Sequence, residues 1–105
     1  VPSAVADARA NAARNGFSAA RYFEGDVGEL LARRDAERLP PPAVAVVDPP
    51  RVGLGPRSSE EIARLGAPLV LLVSCNLDAA ARDLAALLAV GYTPRRAALF
   101  DLFPH

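Results

Sequence analysis

The sequence has a single cysteine, a single histidine and no methionine, tryptophan or lysine. One cysteine excludes an internal disulfide framework and a cysteine-rich metal site. One histidine, His105, excludes a histidine-cluster site, so we expect no metal. The longest apolar runs, 43–47 and 69–73, are far shorter than the ~20 residues that cross a membrane. No signal-peptide pattern is visible, and the unpaired Cys75 fits a reducing compartment, so we expect a cytoplasmic protein without membrane attachment.

The sequence also has no net charge. Twelve acidic residues match twelve basic residues, all of them arginine. No net field therefore draws the chain onto nucleic acid or a membrane surface. A length of 105 residues, 51% of them hydrophobic, is that of one globular domain at most, with one modest core.

Helical and extended patterns alternate along the chain. We predict helices over Pro2–Asn15, Val27–Arg34, the segment that the capping box Ser58-x-x-Glu61 opens and Gly66 closes, and Asn76–Val90. We predict strands over Arg21–Glu24, Ala43–Val47, Leu69–Val73 and Arg96–Phe100. The second and third strands are continuous apolar runs, which is typical of parallel strands that are buried on both faces.

The segment Asn76–Val90 has the clearest helical pattern. Asn76 is its predicted N-cap, and Gly91 is its predicted end. Its predicted buried face is the apolar stripe Leu77, Ala81, Leu84 and Leu88.

Strands that alternate with helices predict a three-layer α/β fold with a mainly parallel sheet. Ligands bind such sheets at the carboxyl ends of the strands. The polar residues that follow the four predicted strands are Asp26, Asp48, Ser74-Cys75-Asn76 and Asp101. We therefore expect three carboxylates and the thiol to cluster at one rim.

Cys75 lies between a buried strand and the start of the strongest helix. The positive end of the helix dipole favours the thiolate there, and a strand-to-helix turn exposes the side chain. The alternative is a small buried apolar residue. A Cys–His hydrolase is disfavoured, because nothing in the sequence places His105 near Cys75.

The other rim residues each have a structural alternative. Asp48 ends a strand and precedes Pro49-Pro50, a stiff turn that suits a polar ligand group, but the residue by itself favours the alternative that it caps the local backbone. Arg51 and Arg57 flank two glycines and either meet phosphate or are solvated. Asp26 either reaches an adenine amino group or caps the helix that starts at Val27. Asp101 is interpreted as structural.

Several segments together resemble one family. They are Ala4-Val5-x-Asp7-Ala8-x-x-Asn11-Ala12-x-x-Asn15-Gly16, Asp48-Pro49-Pro50-Arg51-Val52-Gly53-Leu54, Val73-Ser74-Cys75-Asn76, Ala81-Arg82-Asp83-Leu84, Gly91-Tyr92 and Asp101-Leu102-Phe103-Pro104-His105. Their order and spacing resemble the S-adenosylmethionine-dependent RNA uracil-C5 methyltransferases, which make 5-methyluridine in tRNA and ribosomal RNA. The resemblance covers nearly the whole chain. It implies a Rossmann-like class I methyltransferase fold that is partial here, with its first strands missing.

The resemblance also implies roles for the rim residues. Cys75 matches the nucleophile that adds to uracil C6. Asp48 matches the motif acid at the cofactor and target site, and Asp26 matches the residue that reads the adenine of S-adenosylmethionine. The implied partner is a tRNA or rRNA whose target uridine is unstacked.

Some family features are absent from the sequence. Leu77 stands where the family usually has proline, and Ala79-Ala80 replace a more polar helix start. The glycine-rich cofactor loop and the acid that binds the ribose hydroxyls would precede Val1, and the general-base glutamate would follow His105. The resemblance thus implies that residues 1–105 are the C-terminal part of a catalytic domain. We expect the isolated chain to have little or no activity and to self-associate through its exposed sheet edge.

Two other functions stay open. The first is a non-catalytic α/β module that binds a partner or serves a structural role and has lost the cofactor loop. The second is a methyltransferase with another substrate. Cys75 argues against it, because most methyl transfers need no covalent nucleophile from the enzyme.

Overall fold

A computed structural model describes residues 2–34 and 39–102. The elements in chain order are α1 (Pro2–Arg14), α2 (Val27–Arg34), β1 (Ala45–Val47), α3 (Gly55–Arg64), β2 (Val70–Leu72) and α4 (Leu77–Ala89). The chain divides into two compact units, Val1–Pro40 and Pro41–His105. The predicted motif residues Phe103, Pro104 and His105 lie outside the described residues.

The first unit contains α1 and α2. Helix α1 ends near the predicted stop, where the Phe17 amide donates to the Ala12 carbonyl at 2.9 Å. Helix α2 has the predicted bounds. The predicted strand Arg21–Glu24 is wrong, because the described residues of this segment have no ladder partner. Instead, the Arg9 guanidinium donates to the Tyr22 carbonyl at 2.9 Å.

The second unit contains a two-stranded parallel sheet. Strand β1 pairs with β2 in the register Ala45↔Val70, Val46↔Leu71 and Val47↔Leu72. Bonds from the Ala45 amide to the Leu69 carbonyl and from the Val73 amide to the Val47 carbonyl continue the ladder, at 2.9 and 2.8 Å. The α/β class and the parallel pairing are thus as predicted, although both strands are shorter than predicted. The three-layer Rossmann-like arrangement stays a prediction.

One face of this sheet is open to solvent. Val46 is 68% exposed and its neighbour Leu71 is 54% exposed, while Ala45 and Val47 on the other face are half-buried. Burial on both faces is therefore wrong for the described part of the chain. The predicted strand Arg96–Phe100 is also wrong, since described residues 92–102 form no ladder and Leu99 and Phe100 are exposed.

Helix α3 begins earlier than the capping-box pattern predicts. Its N-cap is Leu54, which makes no side-chain capping bond, and Pro56 lies in the first turn. Proline suits that position because the first-turn N–H groups have no helical partner. The capping box is therefore wrong, and Glu61 pairs with Arg64 at 2.9 Å instead.

Helix α4 packs against α3 and has the predicted cap but not the predicted buried face. Leu77, Leu84 and Leu88 of the predicted stripe are exposed. The buried residues are Ala79, Asp83 and Leu87, four residues apart on an adjacent face. Ile62 of α3 is 2% exposed and belongs to the same core. The Tyr92 hydroxyl donates to the Ala67 carbonyl at 2.9 Å and joins the end of α4 to the loop before β2.

Candidate functional site

The carboxyl ends of β1 and β2 lie at the same sheet edge, because the strands are parallel and Val47 is in register with Leu72. Two connections leave this edge. The β1 loop (Asp48–Leu54) leads to α3, and the cysteine turn (Ser74–Asn76) leads to α4. The position is the one where α/β sheets bind ligands.

Local hydrogen bonds fix the cysteine turn. The Ser74 hydroxyl donates to the Asn76 carbonyl at 3.0 Å and accepts from the Asn76 amide at 3.2 Å. The Asn76 side-chain oxygen accepts from the amides of Asp78 and Ala79 at 3.0 and 3.3 Å, as predicted for an N-cap. Cys75 lies between these anchored residues and is exposed, so the alternative of a buried apolar cysteine is wrong.

An open depression lies beside the thiol. It is lined by Arg51, Cys75, Asn76, Leu77 and Asp78. Arg51 comes from the β1 loop and the other four come from the cysteine turn and the first turn of α4. Arg51 and Cys75 thus line the same open surface. Arg57 does not line the depression.

Asp48 begins the β1 loop at the same sheet edge. Its carboxylate is exposed and has no hydrogen-bond partner among residues 2–34 and 39–102. The backbone beyond it turns at once, since the Gly53 amide donates to the Pro50 carbonyl at 2.8 Å. The alternative that Asp48 caps the local backbone is not what the structure shows, and its oxygens are available to accept hydrogen bonds from a ligand.

Asp26 belongs to the first unit. Its Oδ1 accepts from the Glu29 amide at 3.1 Å, so the side chain caps α2. The structural alternative for Asp26 is therefore present in the molecule. Because this bond uses only one carboxylate oxygen and the residue is exposed, the other oxygen remains accessible. Asp101 is exposed in the segment that follows α4.

Sequence reasoning missed Asp83. Its carboxylate is only 5% exposed, and both oxygens accept from the Leu54 amide at 3.0 Å. The side chain thus ties α4 to the end of the β1 loop. Asp83 is four residues from both Ala79 and Leu87 and so shares their helix face, but only the structure shows that this face is buried.

No three His, Cys, Asp or Glu side chains among residues 2–34 and 39–102 are grouped so that they could hold a metal ion. In the same ranges, no helix has the length and apolar character needed to span a membrane.

The sequence is similar along its whole length to proteins described as uncharacterized RNA methyltransferases. A relative from Caldanaerobacter subterraneus is 39% identical over 105 residues, which are 100% of this chain and 22% of the relative. Relatives from Chlorobaculum tepidum and Porphyromonas gingivalis are 38% and 36% identical, over 99% and 100% of this chain and 22% and 23% of their own lengths. The chain therefore spans about a fifth of the relatives it matches.

No family model matches the chain. No solved structure matches it either. The predicted resemblance to RNA methyltransferases is nevertheless confirmed, because relatives that are 31–39% identical over nearly the whole chain carry that description. Their names do not specify uracil C5, so that part of the resemblance stays a prediction.

Proposed function

We propose that this chain is the C-terminal part of a Rossmann-like catalytic domain that methylates C5 of a uridine in tRNA or rRNA. One observation carries the proposal. The exposed Cys75 lies on an anchored turn at the carboxyl end of β2, beside the loop that carries Asp48 and Arg51. The names of the relatives support RNA as the substrate class.

In the proposed reaction, Cys75 acts as a covalent nucleophile. Its thiolate forms a bond to uracil C6, and the electron pair of the C5–C6 double bond moves into an enolate, which makes C5 nucleophilic. C5 then forms a bond to the methyl group and the methyl–sulfur bond of the donor breaks. Removal of the C5 proton by a base returns the electron pair to the ring and releases the thiolate. No residue of this chain is assigned as that base.

S-adenosylmethionine supplies the methyl group when it is bound. The fit of this chain to it rests on the chemistry of the two exposed carboxylates. Asp48 has both oxygens available, and Asp26 has one beyond its capping bond. Carboxylate oxygens accept hydrogen bonds from an adenine amino group or other N–H donors. We assign Asp48 to the cofactor and target-base side of the site at the edge of the sheet. The role of Asp26 at the adenine stays a prediction from the family resemblance.

The target uridine must leave its stack to reach the thiol. Because Arg51 and Cys75 line the same depression, we propose that Arg51 holds a phosphate next to the flipped base.

Covalent trapping tests the proposal. In the presence of S-adenosylmethionine, RNA that contains 5-fluorouridine should give a stable covalent complex with the native protein isolated from its source. The complex is stable because the fluorine at C5 cannot leave as a proton does. Cys75→Ala should abolish the complex, whereas Leu88→Ala, an exposed change on α4 outside the depression, should leave it intact. A complex that persists in Cys75→Ala, or no complex with the unsubstituted protein, would refute the assignment.

A further inference from the structure

The buried carboxylate of Asp83 has no role in the proposed chemistry. It is 5% exposed, and the one ion pair among the described residues joins Arg64 to Glu61. Its hydrogen-bond partner is the single backbone amide of Leu54. Burial of a carboxylate without a cation costs stability, and an apolar residue would continue the buried face of Ala79 and Leu87. Stability alone therefore does not account for an acid at this position.

Gly53 is fitted to the same carboxylate. Its φ is +92°, and a Cβ at this position would lie 2.8 Å from Oδ1 and 2.9 Å from Oδ2 of Asp83. Any other residue would have to displace the carboxylate or the loop. Glycine thus allows the loop backbone to approach Asp83 closely enough for the bond to the next amide.

Helix α4 therefore contacts both connections at the site. At its N-terminus, Asn76 caps the helix and anchors the cysteine turn. Further along the helix, Asp83 holds the Leu54 amide at the end of the β1 loop. Within that loop, the Gly53 amide donates to the Pro50 carbonyl. The resulting turn contains Arg51 and ends next to Leu54, whose amide bonds to Asp83.

We propose that Asp83 is a positioning residue, which sets the β1 loop, and with it Asp48 and Arg51, relative to Cys75. Gly53 is required for this contact because it has no Cβ that would collide with the Asp83 carboxylate. The catalytic consequence rests on the proposed function, but the contact itself does not.

Two variants of the native full-length protein, each with a matched control, test the inference. Asp83→Asn weakens the acceptor, and Gly53→Ala drives a methyl group into it. The controls are Glu61→Gln, the other buried acid of the α3–α4 pair, and Gly55→Ala, a glycine with φ +72° and nothing within 4 Å of its Cβ position. All are compared at a temperature at which circular dichroism shows each variant to be folded.

We expect both test variants to slow covalent trapping at saturating 5-fluorouridine RNA by about tenfold or more, the scale of losing a hydrogen bond to a charged group. The controls should stay within about twofold of the unsubstituted protein. The double variant should be little slower than either single one, because both disrupt one contact. A general loss of stability would not produce this pattern in folded protein at saturating RNA.

Amide hydrogen exchange at Leu54 separates the two possible failures. Asp83→Asn should accelerate exchange at this amide whether or not the protein methylates uridine. If the unsubstituted protein traps no RNA, the proposed function fails, and the exchange result still decides the contact. Unchanged exchange, or trapping rates that are equal in test and control variants, would overturn the positioning role. If Asp83→Asn does not fold, the comparison of Gly53→Ala with Gly55→Ala decides.

Discussion

At the scale of single residues, the exposed thiol owes its presentation to its neighbours. The side chains of Ser74 and Asn76 form hydrogen bonds with local backbone groups, and Cys75 lies between these two residues. These bonds fix the turn without covering the sulfur. The result is a thiol that is exposed but held on an ordered connection, an arrangement that suits the proposed attack on a base that is brought to it.

Arg51 and Arg57 provide a matched pair for the proposed RNA contact. Both are exposed arginines near the site in sequence, but Arg51 lines the depression with Cys75 and Arg57 does not. We expect Arg51→Gln to weaken RNA binding and to reduce the slope of log affinity against log salt by about one, the effect of losing a phosphate contact. Arg57→Gln should leave the slope unchanged. Filter binding at several salt concentrations measures both, and equal slopes in the two variants would contradict the contact.

The place of Asp48 and Cys75 at one edge of the sheet could be predicted from the sequence, because both follow continuous apolar runs that contain the two parallel strands. Asp83 could not be found in the same way. A carboxylate on a helix is usually solvated, and only the folded loop shows that its partner is an amide 29 residues earlier in the chain. The pattern of single residues does not reveal such a long-range bond.

At the scale of the elements, the capping signal of α4 was informative and its apolar stripe was misleading. Asn76 caps the helix because its oxygen reaches two first-turn amides that have no helical partner. The stripe of leucines was wrong because α4 offers two apolar faces. Packing against α3 buries the face of Ala79 and Leu87, which also carries Asp83.

The N-cap of α4 is directly testable. Asn76→Ala leaves the amides of Asp78 and Ala79 without their acceptor and should lower the free energy of unfolding by about 1 kcal/mol. Asn76→Asp keeps the oxygen and adds a charge that the helix dipole favours, so it should be close to the unsubstituted protein. Urea unfolding followed by circular dichroism gives both values. If Asn76→Ala unfolds at the same urea concentration as the unsubstituted protein, the cap contributes nothing to the free energy of unfolding.

A predicted strand formed only where a neighbouring strand was present to pair with it. Strands β1 and β2 form within the runs 43–47 and 69–73 because each run has the other as a neighbour. The segments 21–24 and 96–100 have strand-like residues, but among the described residues no ladder partner reaches them. A strand is stable only when its backbone groups are paired, and sequence pattern alone does not supply the partner.

At the scale of the whole molecule, the open face of the sheet leaves apolar side chains exposed to water. Val46 of β1 and Leu71 of β2 are exposed, and so are Val44, Leu69 and Val73, which directly flank the two strands. They alternate with half-buried residues and so belong to one face. A contiguous apolar surface of this kind is unfavourable in water and favours association.

We therefore expect the 105-residue chain, produced alone, to self-associate with increasing concentration. Sedimentation velocity over a hundredfold concentration range measures this. Replacing both Val46 and Leu71 by threonine should shift the chain toward the monomer, whereas Leu77→Thr on α4, which is exposed but not on the sheet, should not. A monomer at every concentration would contradict the prediction.

The most direct test of the covalent mechanism is to map where trapped RNA is attached. The protein as its source makes it is incubated with S-adenosylmethionine and RNA containing 5-fluorouridine, digested with nuclease and trypsin, and analysed by mass spectrometry. We expect a methylated fluorouridine nucleotide on Cys75 in the tryptic peptide Leu65–Arg82. Attachment to any other residue, or methylated uridine formed without an adduct at Cys75, would contradict the mechanism.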